Sequence, residues 1–207
     1  MSKKTINGQH NGYEFVEIAG TKWATCNVGA ENPSDFGLYF QWGDRKGYTA
    51  YEAENVKVFN LDTYKHYNGI RFTKYNGFDK KRVLDLRDDP AFAYMGQWWR
   101  MPTQDEFRRL IESTTHMRVY NYQDSGISGM VFTDITDVTK ELFFPAAGFC
   151  DDGSVGNVGS FGNYWSSSLV LGDVFSAYQL YFYSGGVHCD NYDSRCFGYP
   201  VRGVLAD

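Results

Sequence analysis

The sequence predicts one α+β domain made mainly of short strands and long loops, with few helices. Three observations carry this. Aromatic residues make up 18 % of the 207-residue chain, with 16 Tyr and 16 Phe, and most fall in short apolar runs. Glycine (22 residues), with Asn and Asp, punctuates those runs as turns. Helical periodicity appears at only two places. The length suits one full core, and no repeat, low-complexity segment or linker divides residues 1–207.

Taken in order, residues 1–12 read as an N-terminal arm. "EFVEIAGTKWATCNVG" alternates well enough for one or two strands from Glu14 to Val28, turning at Ala19-Gly20. A short apolar run follows from Leu38 to Trp42, closed by Gly43-Asp44. Residues 45–80 are polar, rich in Tyr, Asn and Lys, and without a sustained period; they read as a long surface excursion. "DDPAFAYMG" predicts a short helix with Asp88 or Asp89 as cap, Pro90 in the first turn and Gly96 past the end. In "RMPTQDEFRRLIEST", Thr103 and Glu106 have capping-box spacing and Phe107, Leu110 and Ile111 share one face, which predicts a helix over 104–113. "SGMVFTD" and "KELFFPAAGF" flank the turn "DITDVT" as a hairpin. "GNYWSSS", "AYQLYFYSGGV" and "YPVRGVL" supply three further strands. In the second, Leu180 and Phe182 face the core and Tyr181 and Tyr183 the other side.

Charge and motif content remove several functional classes. A formal net charge of −5 leaves no overall basic field for nucleic acid, and no apolar run is long enough to span a membrane. No apolar stretch follows Lys3-Lys4, so no secretory signal is read and synthesis in the cytosol is expected. Four cysteines without paired spacing give no disulfide framework; Cys26 and Cys150 read as small core residues. Cys189 and Cys196 are seven positions apart with only His188 beside them, a poor tetrahedral zinc set and no C-x-x-C redox pair. "CDDGSVGN" and "DNYDS" offer oxygens to calcium but lack the closing Glu of an EF-hand; a structural calcium stays open. No nucleophile-elbow serine, zinc-protease motif or phosphate-cradling glycine loop occurs. No catalytic residue, metal ligand or cofactor is expected.

The stretch from Leu169 to Tyr199 has its own composition. Its thirty-one residues include no Lys, Glu, Met or Trp, whereas the other 176 hold 28 of these four types. Simple proportion would place about five of them here. Codons ending in C encode every residue type present except Gln179. Such a bias follows when asparagine codons of a template are randomised at their adenines. The Tyr, Ser, Gly and Asn content is also that of antibody-like binding surfaces, which combine rigid amphipathic area with adaptable polar groups.

The segments "KWATCNVGA", "GLYFQWGD", "WRMPTQDEF", "LFFPAAGF", "NYWSSS", "AYQLYF", "SGGV" and "GYPVRGV", in this order, span residues 12–205. This framework resembles the variable proteins of diversity-generating retroelements from gut bacteria and their phages, which are related to the FISUMP major paralogous domain. The resemblance implies a C-type-lectin-like fold of the formylglycine-generating-enzyme-like subclass, with short twisted antiparallel strands, about two helices and long loops. It implies a variable ligand-binding region over 163–204. Within it a fixed frame would comprise Trp165, Ser166, Ser167, Leu180, Phe182, Val187, Arg195, Gly198, Val201 and Arg202. The ligand-binding variable positions would be Val170, Leu171, Gly172, Asp173, Phe175, Gln179, Tyr181, Tyr183, His188, Cys189, Asp190, Asn191, Tyr192, Ser194, Cys196, Phe197 and Tyr199. Gln179 fits the adenine rule badly. The implied protein is a non-enzymatic display module, carried on a phage virion (tail) or a cell surface. Its partner would be a cell-surface protein or glycan; self-association is left open, and neither nucleic acid nor membrane insertion is implied. The calcium-dependent sugar triplets of lectins are absent, and both late cysteines fall at variable positions, so sugar specificity and oxidase chemistry are not carried over. The alternatives are an oxidase of the formylglycine-generating type and a fixed lectin-like structural domain.

Overall fold

The first strands of the chain and its last one lie in the same sheet. In the computed structural model, which describes residues 6–206, β1 (Gly8–His10), β2 (Tyr13–Ile18) and β3 (Thr21–Asn27) run antiparallel in succession. The turn between β2 and β3 is Ala19-Gly20, as the alternation predicts, and both residues take positive φ. Residues 8–10 of the expected arm are therefore a paired edge strand, because their backbone bonds to β2. Of the apolar run 38–42, only β4 (Tyr39–Phe40) forms a strand.

Residues 45–80 differ from the expected surface excursion. They contain α1 (Ala50–Val56), whose capping box joins Thr49 and Glu52 through bonds of 3.2 and 2.8 Å. Beyond it Tyr64, His66, Phe72 and Tyr75 are buried. These side chains enter the core singly from polar loops, so no sequence period announces them.

α2 (Pro90–Met95) is capped by Asp89, whose Oδ1 accepts from the Ala91 and Phe92 amides. Its Oδ2 accepts from Met101 N at 2.7 Å, fixing the helix to the segment that follows β5 (Trp99–Arg100). α3 (Gln104–Glu112) has the predicted capping box and buries Phe107 and Leu110. Glu106 also closes a two-oxygen pair with Arg100 at 2.6 and 2.7 Å. β6 (Thr114–Val119) leads into β7 (Gly129–Asp134), and β7 forms the expected hairpin with β8 (Glu141–Pro145).

The remainder is short antiparallel structure. β9 (Phe149–Asp151) pairs β10 (Ser154–Gly156). β11 (Gly162–Leu169), β12 (Ser176–Tyr183), β13 (Gly186–His188) and β14 (Tyr192–Ser194) form a four-stranded sheet. β15 (Tyr199–Pro200) pairs β4, and β16 (Arg202–Leu205) inserts between β3 and β5. The architecture is thus α+β, with three α-helices among the described residues and mostly antiparallel strands. No helix among them is long and apolar enough to cross a membrane.

Two large clusters make the core. One gathers Trp23, Phe107, Phe132, Phe144, Leu180 and Phe182, so α3 and three sheets meet there. The other gathers Trp42, Trp99, Trp165 and Tyr199. Between β4 and β11 two indoles exchange bonds, Trp42 Nε1 to Ser166 O (2.8 Å) and Trp165 Nε1 to Phe40 O (2.9 Å). That satisfies both buried N–H groups. Arg202 is fully buried without a carboxylate. Its guanidinium donates to Asn27 Oδ1 and to the carbonyls of Ala24, Thr25 and Phe143, each at 3.0 Å, with Phe144 against its face. This one side chain ties β16 and β3 to β8.

Candidate ligand-binding surface

β12 is the strand on which the candidate positions are organised. β11 bonds one edge, and β13 and then β14 bond the other, with Gln179 N donating to Asn191 O between them. The strand is therefore held mainly by its backbone, and its outward side chains are left free of structural duty. Leu180 and Phe182 are buried in the first core, as the alternation predicts. Tyr181 and Tyr183 point away, half-buried and stacked with centroids 5.6 Å apart. His188, opposite Tyr181 on β13, stacks beside both, and Phe161 meets Tyr181 edge-on. A second aromatic pair, Tyr178 with Tyr192, crosses from β12 to β14.

The loop from β11 to β12 forms the other part of the surface. It closes through Val170 N to Ser176 O (3.1 Å) and turns at Gly172, where φ of +83° suits glycine. Phe175 N donates to Asp173 Oδ1, leaving Leu171 and Phe175 exposed. Phe175 sets its ring edge against Phe72 at 4.9 Å. Residues 82–84 run antiparallel to the end of β11, with Leu84 N to Ser167 O and Leu169 N to Arg82 O. A cavity of about 300 Å³ lies between residues 76–82 and 169–174.

The sequence-derived positions divide by burial. Leu171, Gly172, Phe175, His188, Asp190, Asn191 and Tyr192 are exposed; Val170, Asp173, Tyr181, Tyr183, Cys189, Ser194 and Phe197 are half-buried. Gln179, Cys196 and Tyr199 are buried and offer no side-chain surface, contrary to expectation. The reason is topological. The face that is open at Tyr181 is covered further along β12, where Gln179 lies beside the Tyr199 hydroxyl and Tyr199 stacks on Trp165 at 4.1 Å. The register shift between Trp165 and Leu169 breaks the simple alternation. Of the fixed-frame positions, all but the half-buried Val187 are buried. Gly198 has a local reason to be glycine: a Cβ there would sit 2.5 Å from the Phe59 ring.

The two late cysteines do not form a pair. Cys189 packs against the first core and Cys196 against Tyr64 and Phe72. All four cysteines are free thiols, and burial pushes the Cys189 and Cys196 thiols up, away from the reactive thiolate. Cys150 is buried as expected, while Cys26 is only half-buried at the surface. Among the described residues no three His, Cys, Asp or Glu side chains gather as a metal-holding group.

Behind the loop lies Arg195, which is fully buried. Its Nη1 donates to Tyr75 O at 2.9 Å, while Nε and Nη2 have no hydrogen-bond partner among the described residues. Phe72, Tyr64 and Trp42 enclose the guanidinium, with Phe72 nearest at 4.1 Å. Burial lowers its pKa from the ordinary value, yet a guanidinium keeps its proton in a protein. Sequence reasoning missed Phe161, Phe72 and residues 76–82 as neighbours of the surface. Their proximity comes from long-range pairing, and only the exposed Phe78 in the turn-forming "YNGFDKKR" is a local signal. The chain matches no protein-family model, no curated protein and no solved structure with which it was compared.

Proposed function

We propose that this chain is a non-enzymatic binding module of the C-type-lectin-like fold, whose region 163–204 is diversified by retroelement mutagenesis for receptor recognition. One observation carries the reading. Positions inferred from the sequence as variable are mostly accessible, whereas those inferred as frame are almost all buried. A diversified fold needs this separation, since random substitution in a packed core costs several kcal/mol. The pairing of the first strands with the last, around an irregular loop-rich middle, supports the lectin-like architecture. Stacked Tyr181, Tyr183 and His188 supply rigid, amphipathic contact area of the kind that dominates binding hot spots. Display on a phage virion or a cell surface, with a cell-surface protein or glycan as partner, belongs to the same proposal.

The test is to sequence the 3′ end of the gene across a growing population and compare it with any near-identical template repeat. Substitutions at template adenines, concentrated in the exposed and half-buried codons of 169–199, are the expected result. A uniform sequence with no template would leave a fixed domain and sink the proposal.

A further inference from the structure

The chain as a whole is acidic, yet residues 65–87 carry seven Lys and Arg against two Asp. The remaining residues hold thirteen Lys and Arg against twenty-three Asp and Glu. Lys65 and Lys74 of this stretch bind Asp88, which lies just beyond it, and Lys74, Lys81 and Arg87 bind Asp85. Lys80 and Arg82 are exposed and in no ion pair among the described residues. Both line the cavity of about 300 Å³ whose other wall includes Val170, Leu171 and Val174.

This basic wall is built rigidly. The Asp79 carboxylate accepts from the amides of Tyr75 (2.6 Å), Asn76 (3.1 Å) and Lys81 (3.1 Å), so its own charge is engaged within the loop. Asn76 Oδ1 accepts from the Phe78 and Asp79 amides. The frame holds Phe78 at 89 % exposure, a large apolar ring kept in water by a well-bonded loop. Phe78 is not part of the cavity lining, whereas Leu171, at 70 % exposure, lines it with Val170 and Val174. Arg195, buried behind Phe72, forms no ion pair among the described residues, although the Asp79 and Asp173 carboxylates act on its charge through space.

We infer that residues 76–82 are a fixed half of the recognition surface, and that the groove they form with the 169–174 loop seats a short acidic polypeptide segment carrying apolar side chains. This rests on the proposed function and narrows its partner class. Charge complementarity favours acidic ligands, and the apolar Val170, Leu171 and Val174 of the lining favour a peptide over a bare polyanion. A long polyanion or a charged lipid sheet would extend beyond the groove and meet the acidic remainder of the chain. The fixed wall sets a common charge preference, while the variable wall changes the side chains accommodated beside it.

The probe is a short fluorescein-labelled peptide of alternating Glu and Leu, titrated with the full chain by fluorescence anisotropy at low and high salt. A Gln/Leu peptide of equal length and vesicles of phosphatidylserine and phosphatidylcholine serve as comparisons. The acidic peptide is expected to bind, more weakly at high salt, with the Gln/Leu peptide and the vesicles weaker. The K80E/R82E double variant should lose about tenfold or more in affinity with an unchanged melting temperature, and L171E should weaken binding through the other wall. Absence of binding, indifference to K80E/R82E, or preference for vesicles or the neutral peptide would overturn the inference. Because these variants leave codons 169–199 untouched apart from Leu171, a diversifying gene with an indifferent basic wall would sink this inference alone.

Discussion

At the scale of single residues, the chain separates side chains that hold the fold from side chains that it shows. Arg202 is the clearest of the first kind, since four hydrogen bonds from one buried guanidinium join three strands. Arg202→Met should cost about 3–5 kcal/mol in urea denaturation because it orphans buried carbonyls, and Arg202→Lys should recover little, having no planar fork to reach them. On β12 the same contrast falls between neighbours. Phe182→Ala should cost about 3–5 kcal/mol, whereas Tyr181→Ser and Tyr183→Ser should each stay within about 1 kcal/mol; equal losses would remove the distinction between frame and display. Two buried titrating groups act in opposite senses. Burial lowers the pKa of His66 below its ordinary 6.5, so its contribution to stability is present above that value and is lost as pH falls. Burial pushes the Asp89 carboxyl up to about 6 against three amide bonds, so its contribution is lost as pH rises through 6. Between about pH 5 and 6.5 the two oppose each other. In His66→Gln/His116→Gln, which removes both histidines that burial lowers, the raised Asp89 and Asp151 carboxyls are left, and the urea midpoint should fall as pH rises toward 6.

At the scale of elements, local chemistry decides how much could be read in advance. α3 was legible because its start signal and apolar face lie in one short window. Thr103→Ala should cost about 1 kcal/mol in thermal or urea unfolding, the ordinary value of an N-cap. The β2–β3 turn, α2 and the β7–β8 hairpin were legible for the same reason. β6 was not, because "TTHMRV" is polar and largely exposed, and becomes a strand only through full-length pairing with β7. α1 escaped notice although Thr49 and Glu52 have capping-box spacing, since only Ala53 of that helix is buried and no apolar stripe follows the cap. Within the candidate surface, the alternation of Leu180 to Tyr183 was readable. The burial of Gln179 and Tyr199 was not, because it depends on β15, paired with β4, bringing Tyr199 against Trp165 and Gln179. The basic wall at 76–82 was hidden likewise, its place beside the 169–174 loop being fixed by the bonding of residues 82–84 to β11.

At the scale of the whole molecule, the order of the five-stranded sheet, β1-β2-β3-β16-β5, sets what can be removed. β16 is interior to it, and Val204 belongs to the first core. Ending the chain after Tyr199 should abolish cooperative unfolding by circular dichroism, since it separates β3 from β5 and deletes Arg202 as well. A folded truncation product would show that β16 is dispensable. The position of β16 also bears on protein synthesis. The ribosome must read through every codon of 169–199 before the strand that completes the sheet is made. A nonsense or frameshift error in that stretch therefore yields a chain lacking its closing strand, with β3 and β5 left unpaired along the edges it would bond. Only chains translated in frame through β16 acquire the fold, so the topology ties completion of the sheet to completion of translation.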